Sequence, residues 1–146
     1  MSTVGLNNLS GDLYNLMIII HKKMFNQDEM IKNLPIPPSH VKVIFYLKCN
    51  GSSSISEIAK NLTISKSNMT PIIDKLISEG MVNRYDDPND RRILRIELTD
   101  KAHKFIKGRE NIVKNSLAEK ISVLNSEDLK CLKHHVAGIT DILEKI

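Results

Sequence analysis

The chain has 146 residues, 41% of them apolar and 26% charged, with a formal charge of +4 and a pI near 9.1. That length fits one domain able to bury a core without staples, and the mild positive charge permits a polyanion partner without demanding one. Two distant cysteines (Cys49 and Cys131) form no metal-finger spacing, the start lacks a signal-peptide pattern, and the longest apolar run, Leu16–Ile20, cannot span a bilayer. The expectation is a reduced, soluble, cytoplasmic protein with no membrane partner.

Leu13, Leu16, Met17, Ile20 and Met24 recur at helical spacing, which predicts a first amphipathic helix from about Asn8 to about Ile31, with Gly11 blurring its start. Leu34-Pro-Ile-Pro-Pro38 must end it. Val41-Lys-Val-Ile-Phe-Tyr-Leu47 has the β-branched bias of a strand. Prolines before it and Asn50-Gly51 after it favour a helix over Ser39–Lys48 instead. Cys49, near the end of that helix, fits a redox sensor less well than an inert buried thiol.

Ser54 and Glu57 form a capping box, followed by an apolar stripe of Ile55, Ile58, Ala59 and Leu62. Thr63-Ile64-Ser65 is a turn, and Ser65 caps a second helix that Gly80 ends. Met69, Ile72, Ile73 and Leu76 make its inner face, while Lys66, Ser67, Asn68, Thr70, Asp74 and Lys75 lie off it. Pro71 deletes an amide inside this helix, a loss of about 3 kcal/mol in a helix interior. A local kink would limit that loss. Two strands follow, Met81–Asp86 and Ile93–Thr99, the second alternating Leu94, Ile96 and Leu98 against Ile93, Arg95 and Glu97. Thr99 caps a long helix carrying Ala102, Phe105, Ile106, Ile112, Val113, Leu117, Ile121 and Leu124. Ser126, with Glu127 and Asp128, opens a last helix whose Leu129, Leu132, Val136, Ile139, Leu143 and Ile146 follow the spacing of a helix–helix seam.

A capped helix, a tight turn, a second capped helix and a hairpin suggest a mainly α fold with a minor β part: a winged helix-turn-helix flanked by N- and C-terminal helices. The segments are 1–35, 36–99 and 100–146 within one compact domain. Ser, Asn, Thr and Lys side chains on the second helix could bond phosphates and base edges, or simply form a solvated face. The hairpin tip, Asp87-Pro-Asn-Asp-Arg-Arg92, adds strong turn chemistry and two arginines that alternate sides. One can reach a minor groove or phosphate while the other pairs with a carboxylate such as Asp90 or Asp87. From Ser54 to Asp100 acidic side chains slightly outnumber basic ones, so any DNA contact must come from placement. Histidines without metal spacing, and the lack of a nucleophile–base pair or phosphate loop, point away from an enzyme, a metal site or a cofactor.

Ser65–Gly80, Arg84, Asp87–Arg92 and Leu98-Thr99, in this order of elements, resemble the MarR (multiple-antibiotic-resistance regulator) family over nearly the whole chain. The resemblance implies a homodimeric transcriptional repressor, with N- and C-terminal dimerisation helices, that acts at a pseudo-palindromic operator on double-stranded DNA. It also implies release by a small, often aromatic or lipophilic effector. By motif, Ser65, Lys66, Ser67, Asn68, Thr70 and Lys75 match recognition-helix positions, Arg91 resembles the wing arginine, and Asn89 joins it as a DNA-contacting candidate. Asp90 and Arg92, with Asp87, match wing-stabilising residues. Pro71 falls where some members carry proline, and Ala102 departs from a common glycine. No cysteine precedes Cys49, so the resemblance does not extend to the branch with a reactive thiol in its first helix. The alternative is a winged helix that binds protein without an operator.

Overall fold

The computed structural model describes residues 2–25 and 34–146. The elements run α1 (Thr3–Met24), α2 (Pro38–Asn50), β1 (Ser53–Ser54), α3 (Ile55–Leu62), α4 (Lys66–Ser78), β2 (Val82–Asp86), β3 (Leu94–Leu98), α5 (Asp100–Ile121) and α6 (Ser126–Leu143). They group into two units, one of residues 27–110 and one of residues 1–26 with 111–146.

In the first unit α2 is a helix, despite its β-branched residues. Pro38 sits in its first turn, where a missing amide is harmless, and Gly51 ends it at a φ of 74° that other residues resist. Val43, Ile44 and Leu47 are buried on one face. Cys49 lies two residues past that stripe and is exposed, contrary to the expectation of a buried thiol. Helical spacing turns it about 200° away from Leu47.

The predicted capping box is present: Glu57 N donates to Ser54 Oγ at 3.1 Å and Ser54 N donates to Glu57 Oε2 at 2.7 Å. The turn into α4 is made tight by Thr63 at φ 55°, an uncommon conformation for a β-branched residue. Ser65 Oγ then accepts from Asn68 N at 3.2 Å. α4 runs unbroken through Pro71, which is exposed, so water can serve the freed Ser67 carbonyl. After α4, Gly80 at φ 71° reverses the chain.

The sheet has three strands in the order β1-β3-β2, all antiparallel. The two-residue β1 adds to the expected hairpin. Ile96 is buried beneath β3, but Leu94, on the same face, is 37% exposed because it lies nearer the turn. Thr99 Oγ1 accepts from Ala102 N at 3.3 Å, capping α5, and donates to the Gly80 carbonyl at 2.6 Å. The core gathers α2 with Ile58, Ala59, Met69, Ile73, Leu76, Met81, Val82, Ile96, Ala102 and Ile106.

The second unit holds α1, α6 and the end of α5, which continues from the first unit. α1 begins at Thr3, earlier than expected, because Ser2 Oγ accepts from Gly5 N at 3.3 Å; Gly11 is simply carried inside a long helix. The helix closes at Met24, and the expected end near Ile31 lies outside the described residues. The cap of α6 is Asn125, whose Oδ1 accepts from Asp128 N at 2.8 Å; Ser126 is the first helical residue. Neither α1 nor α6 has a buried residue. No described helix is long and apolar enough to cross a membrane.

Candidate nucleic-acid interface

The outer face of α4 is set by what its inner face must bury. Met69, Ile73 and Leu76 are fully buried, so Lys66, Ser67, Asn68, Thr70 and Lys75 are turned outward and exposed. Several of these polar groups are already engaged. Ser65 caps the helix and its hydroxyl lies 3.2 Å from that of Ser67, while Thr70 Oγ1 donates to the Lys66 carbonyl at 3.1 Å. Lys75 pairs with Glu79 one turn on, at 2.8 Å. The Lys66 and Asn68 side chains pair with no described residue.

Lys75 shapes its neighbourhood electrostatically. Its hydrogen bond and charge hold the Glu79 carboxyl below the usual range. His40 is lowered too, first by partial burial and then by the Lys75 charge. Lys75 stands roughly 13 Å along the axis from Lys66, at about 1.5 Å per residue. The two lysines therefore serve opposite ends of the helix face.

The wing tip is a small hydrogen-bonded structure built on Asp87. Its Oδ1 accepts from the amides of Asn89 at 2.8 Å and Asp90 at 3.1 Å, and its Oδ2 accepts from Arg95 Nε at 2.7 Å. Asp87 is only 6% exposed. The Arg95 bond and the Asn89 amide hold its carboxyl below the ordinary value. Asp90 meets Arg92 twice, with Nε to Oδ1 and Nη2 to Oδ2 both at 3.0 Å, and its carboxyl is lowered by that pairing. Asn89 and Arg91 are exposed, and Arg91 forms no ion pair with a described residue. The wing thus ends in one guanidinium held by its neighbour and one left open to solvent.

Residues 36–94, which include α4 and most of the wing, match the MarR family model. That segment is a MarR-family domain. Among curated relatives, the HTH-type transcriptional repressor MdtR of Bacillus subtilis is 28% identical over 125 residues, covering 81% of this chain and 78% of that one. The transcriptional regulator Tm0710 from Thermotoga maritima shares the fold with a TM-score of 0.78 at 18% identity, over 95% of this chain and 96% of that one. An S. aureus MepR mutant, solved bound to an oligodeoxyribonucleotide, shares it with a TM-score of 0.66 at 21% identity, over 89% and 96%. The MarR family and these curated relatives are transcriptional regulators, which are not enzymes.

This MarR-family wing contains a residue that the sequence reading placed only as a strand position. Arg95 joins Asp87, the Ser52 carbonyl and Glu57, at 2.7, 3.3 and 3.6 Å. Its signal was an arginine in mid-strand, too weak to name partners without the sheet order. Arg84 lies 3.8 Å from Asp74 of α4, a second pairing that sequence spacing did not supply.

Proposed function

We propose that this protein is a homodimeric repressor that binds a pseudo-palindromic operator and leaves it when a small aromatic or lipophilic effector binds. The carrying observation is the pairing of an outward polar face on α4 with a wing whose Arg91 is exposed beside a self-paired Arg92. α4 enters a major groove through Ser65, Lys66, Ser67, Asn68 and Thr70, with Lys75 farther along the helix. The wing lays Asn89 and Arg91 against the adjacent minor groove or phosphates, and Asp87, Asp90 and Arg92 keep its turn in shape. The DNA-bound MepR relative supports this placement of the fold on a duplex.

Dimerisation draws on the exposed apolar faces of the second unit. Met17 and Ile19 of α1 are 57% and 55% exposed, and Val136 and Ile142 of α6 are 53% and 64% exposed. Such faces mark interaction surfaces in soluble proteins. A two-fold dimer sets its recognition helices about 34 Å apart, one turn of DNA. An effector acts by favouring a dimer conformation with a different spacing, which shifts the population away from the bound form.

Selection of bound sequences from random duplexes, followed by footprinting, tests the reading. The expected result is a site with two-fold symmetry, protected on two successive turns. Failure to bind any duplex at low salt would favour a protein-interaction scaffold. Transcription from the selected site in a purified system then separates repression from activation.

A further inference from the structure

We infer that Arg95 is a positioning residue for duplex binding: its guanidinium fastens the wing to the start of α3 and thereby fixes where Arg91 stands relative to α4. This rests on the duplex-binding reading above.

Arg95 occupies the central strand, opposite Ser54 of β1 on one side and Tyr85 of β2 on the other. From there Nε donates to Asp87 Oδ2 at 2.7 Å, and Nη1 donates to the Ser52 carbonyl at 3.3 Å. Nη1 also lies 3.6 Å from Glu57 Oε2. One side chain therefore touches the wing turn, the segment before β1 and the carboxylate of the α3 capping box. Each carboxylate it meets has a further task. Asp87 orders the Asn89 and Asp90 amides, and Glu57 closes the cap on Ser54. A bond between the Tyr85 and Ser52 hydroxyls, 2.8 Å apart, laces the same two segments again.

The apolar anchoring of the wing explains why this fork matters. Val82 and Ile96 are buried at its base, whereas Tyr85, Ile93 and Leu94 nearer the tip are exposed. Beyond Ile96 the polar fork, not the core, holds the ribbon to the helices. A planar guanidinium with five donors can serve acceptors in several directions, which an ammonium on a flexible stem cannot match. The Arg95 side chain is 31% exposed, so water screens it only in part. With the fork removed, Arg91 must be ordered at the moment of binding, and that entropy weakens the complex without deleting a DNA contact.

The test uses the full chain and a duplex selected from random sequence by the wild-type protein. Arg95→Leu and Arg95→Lys are measured alone and combined with Arg91→Ala, together with amide exchange at Asn89, Asp90 and along α4. Arg95→Leu should weaken binding about tenfold in the wild type and change it little once Arg91 is absent, because both act through one contact. Arg95→Lys keeps the charge without the fork and should lose nearly as much. Wing amides should exchange faster in both variants while those of α4 keep their protection. Additive losses, unchanged affinity, rescue by lysine, or equal loosening of α4 would each overturn the positioning role. Wild-type protein that binds no duplex overturns the parent reading first, before any Arg95 variant is compared.

Discussion

Arg92 closes on the carboxylate of Asp90 through two hydrogen bonds of 3.0 Å, within a single turn of the wing. The adjacent Arg91 has no such partner among the described residues. Arg91→Ala should therefore weaken duplex binding by about tenfold to a hundredfold, the range of a good arginine contact, and leave the melting temperature nearly unchanged. Arg92→Ala should lower the melting temperature as well, though slightly, since its side chain is 89% exposed. Equal thermal losses in the two variants would refute the division of labour.

Ser65 carries two roles that substitution can separate. Its hydroxyl caps α4, so Ser65→Ala should cost about 1 kcal/mol of stability in chemical denaturation. Ser65→Asp retains a capping oxygen and adds a negative charge where a phosphate would approach. It should keep the stability and lose duplex affinity. Binding that survives the aspartate would remove Ser65 from the interface.

Ile73 anchors α4 from behind and is fully buried. Ile73→Val should destabilise by about 0.5–1.5 kcal/mol and Ile73→Ala by about 2–5 kcal/mol. A much smaller alanine effect would mean that the core beneath α4 collapses readily around the cavity.

The wing should be acid-sensitive with a definite sign. Asp87 is held below its ordinary carboxyl value by the Arg95 bond and by backbone amides. Near the unfolded value of about 3.9, the unfolded chain consequently binds more protons, and stability rises with pH. The contribution is complete above that region and is lost as pH falls through the lowered folded value. Asp87→Asn should flatten the stability profile across this acid limb while reducing stability at neutral pH. Parallel profiles for the two proteins would exclude Asp87 as a source of the slope.

The exposed seam of α6 yields a prediction on assembly. Ile139 is 39% exposed in the single chain. If it lies in a dimer interface, Ile139→Glu should shift sedimentation from dimer to monomer, since a buried unpaired carboxylate is strongly unfavourable. A wild-type chain that sediments as a monomer would reject the proposed assembly outright.

Local chemistry was the most legible part of the sequence. The Ser54–Glu57 box and the Ser65 cap involve partners three residues apart, so spacing alone predicts them. The buried positions of α4 followed from helical period for the same reason. β1 was invisible because two residues have no period, and the Ser2 and Asn125 caps stand outside the apolar patterns used to place α1 and α6. The Arg95 contacts were hidden by topology. Asp87 is eight residues from Arg95, and Ser52 is forty-three. Only the strand order brings them to one guanidinium.

That same guanidinium also acts as a register key for the wing. Sliding β3 by one residue would turn Ile96 from the core to solvent, which the hydrophobic pattern already forbids. Sliding it by two preserves the facing of every side chain, so burial discriminates poorly. The slipped sheet would instead set Glu97 or Ile93 in the place of Arg95, leaving Asp87 beside a like charge or an apolar chain. The pairing that orients the wing therefore also rejects the alternative alignment that its alternating apolar residues would tolerate.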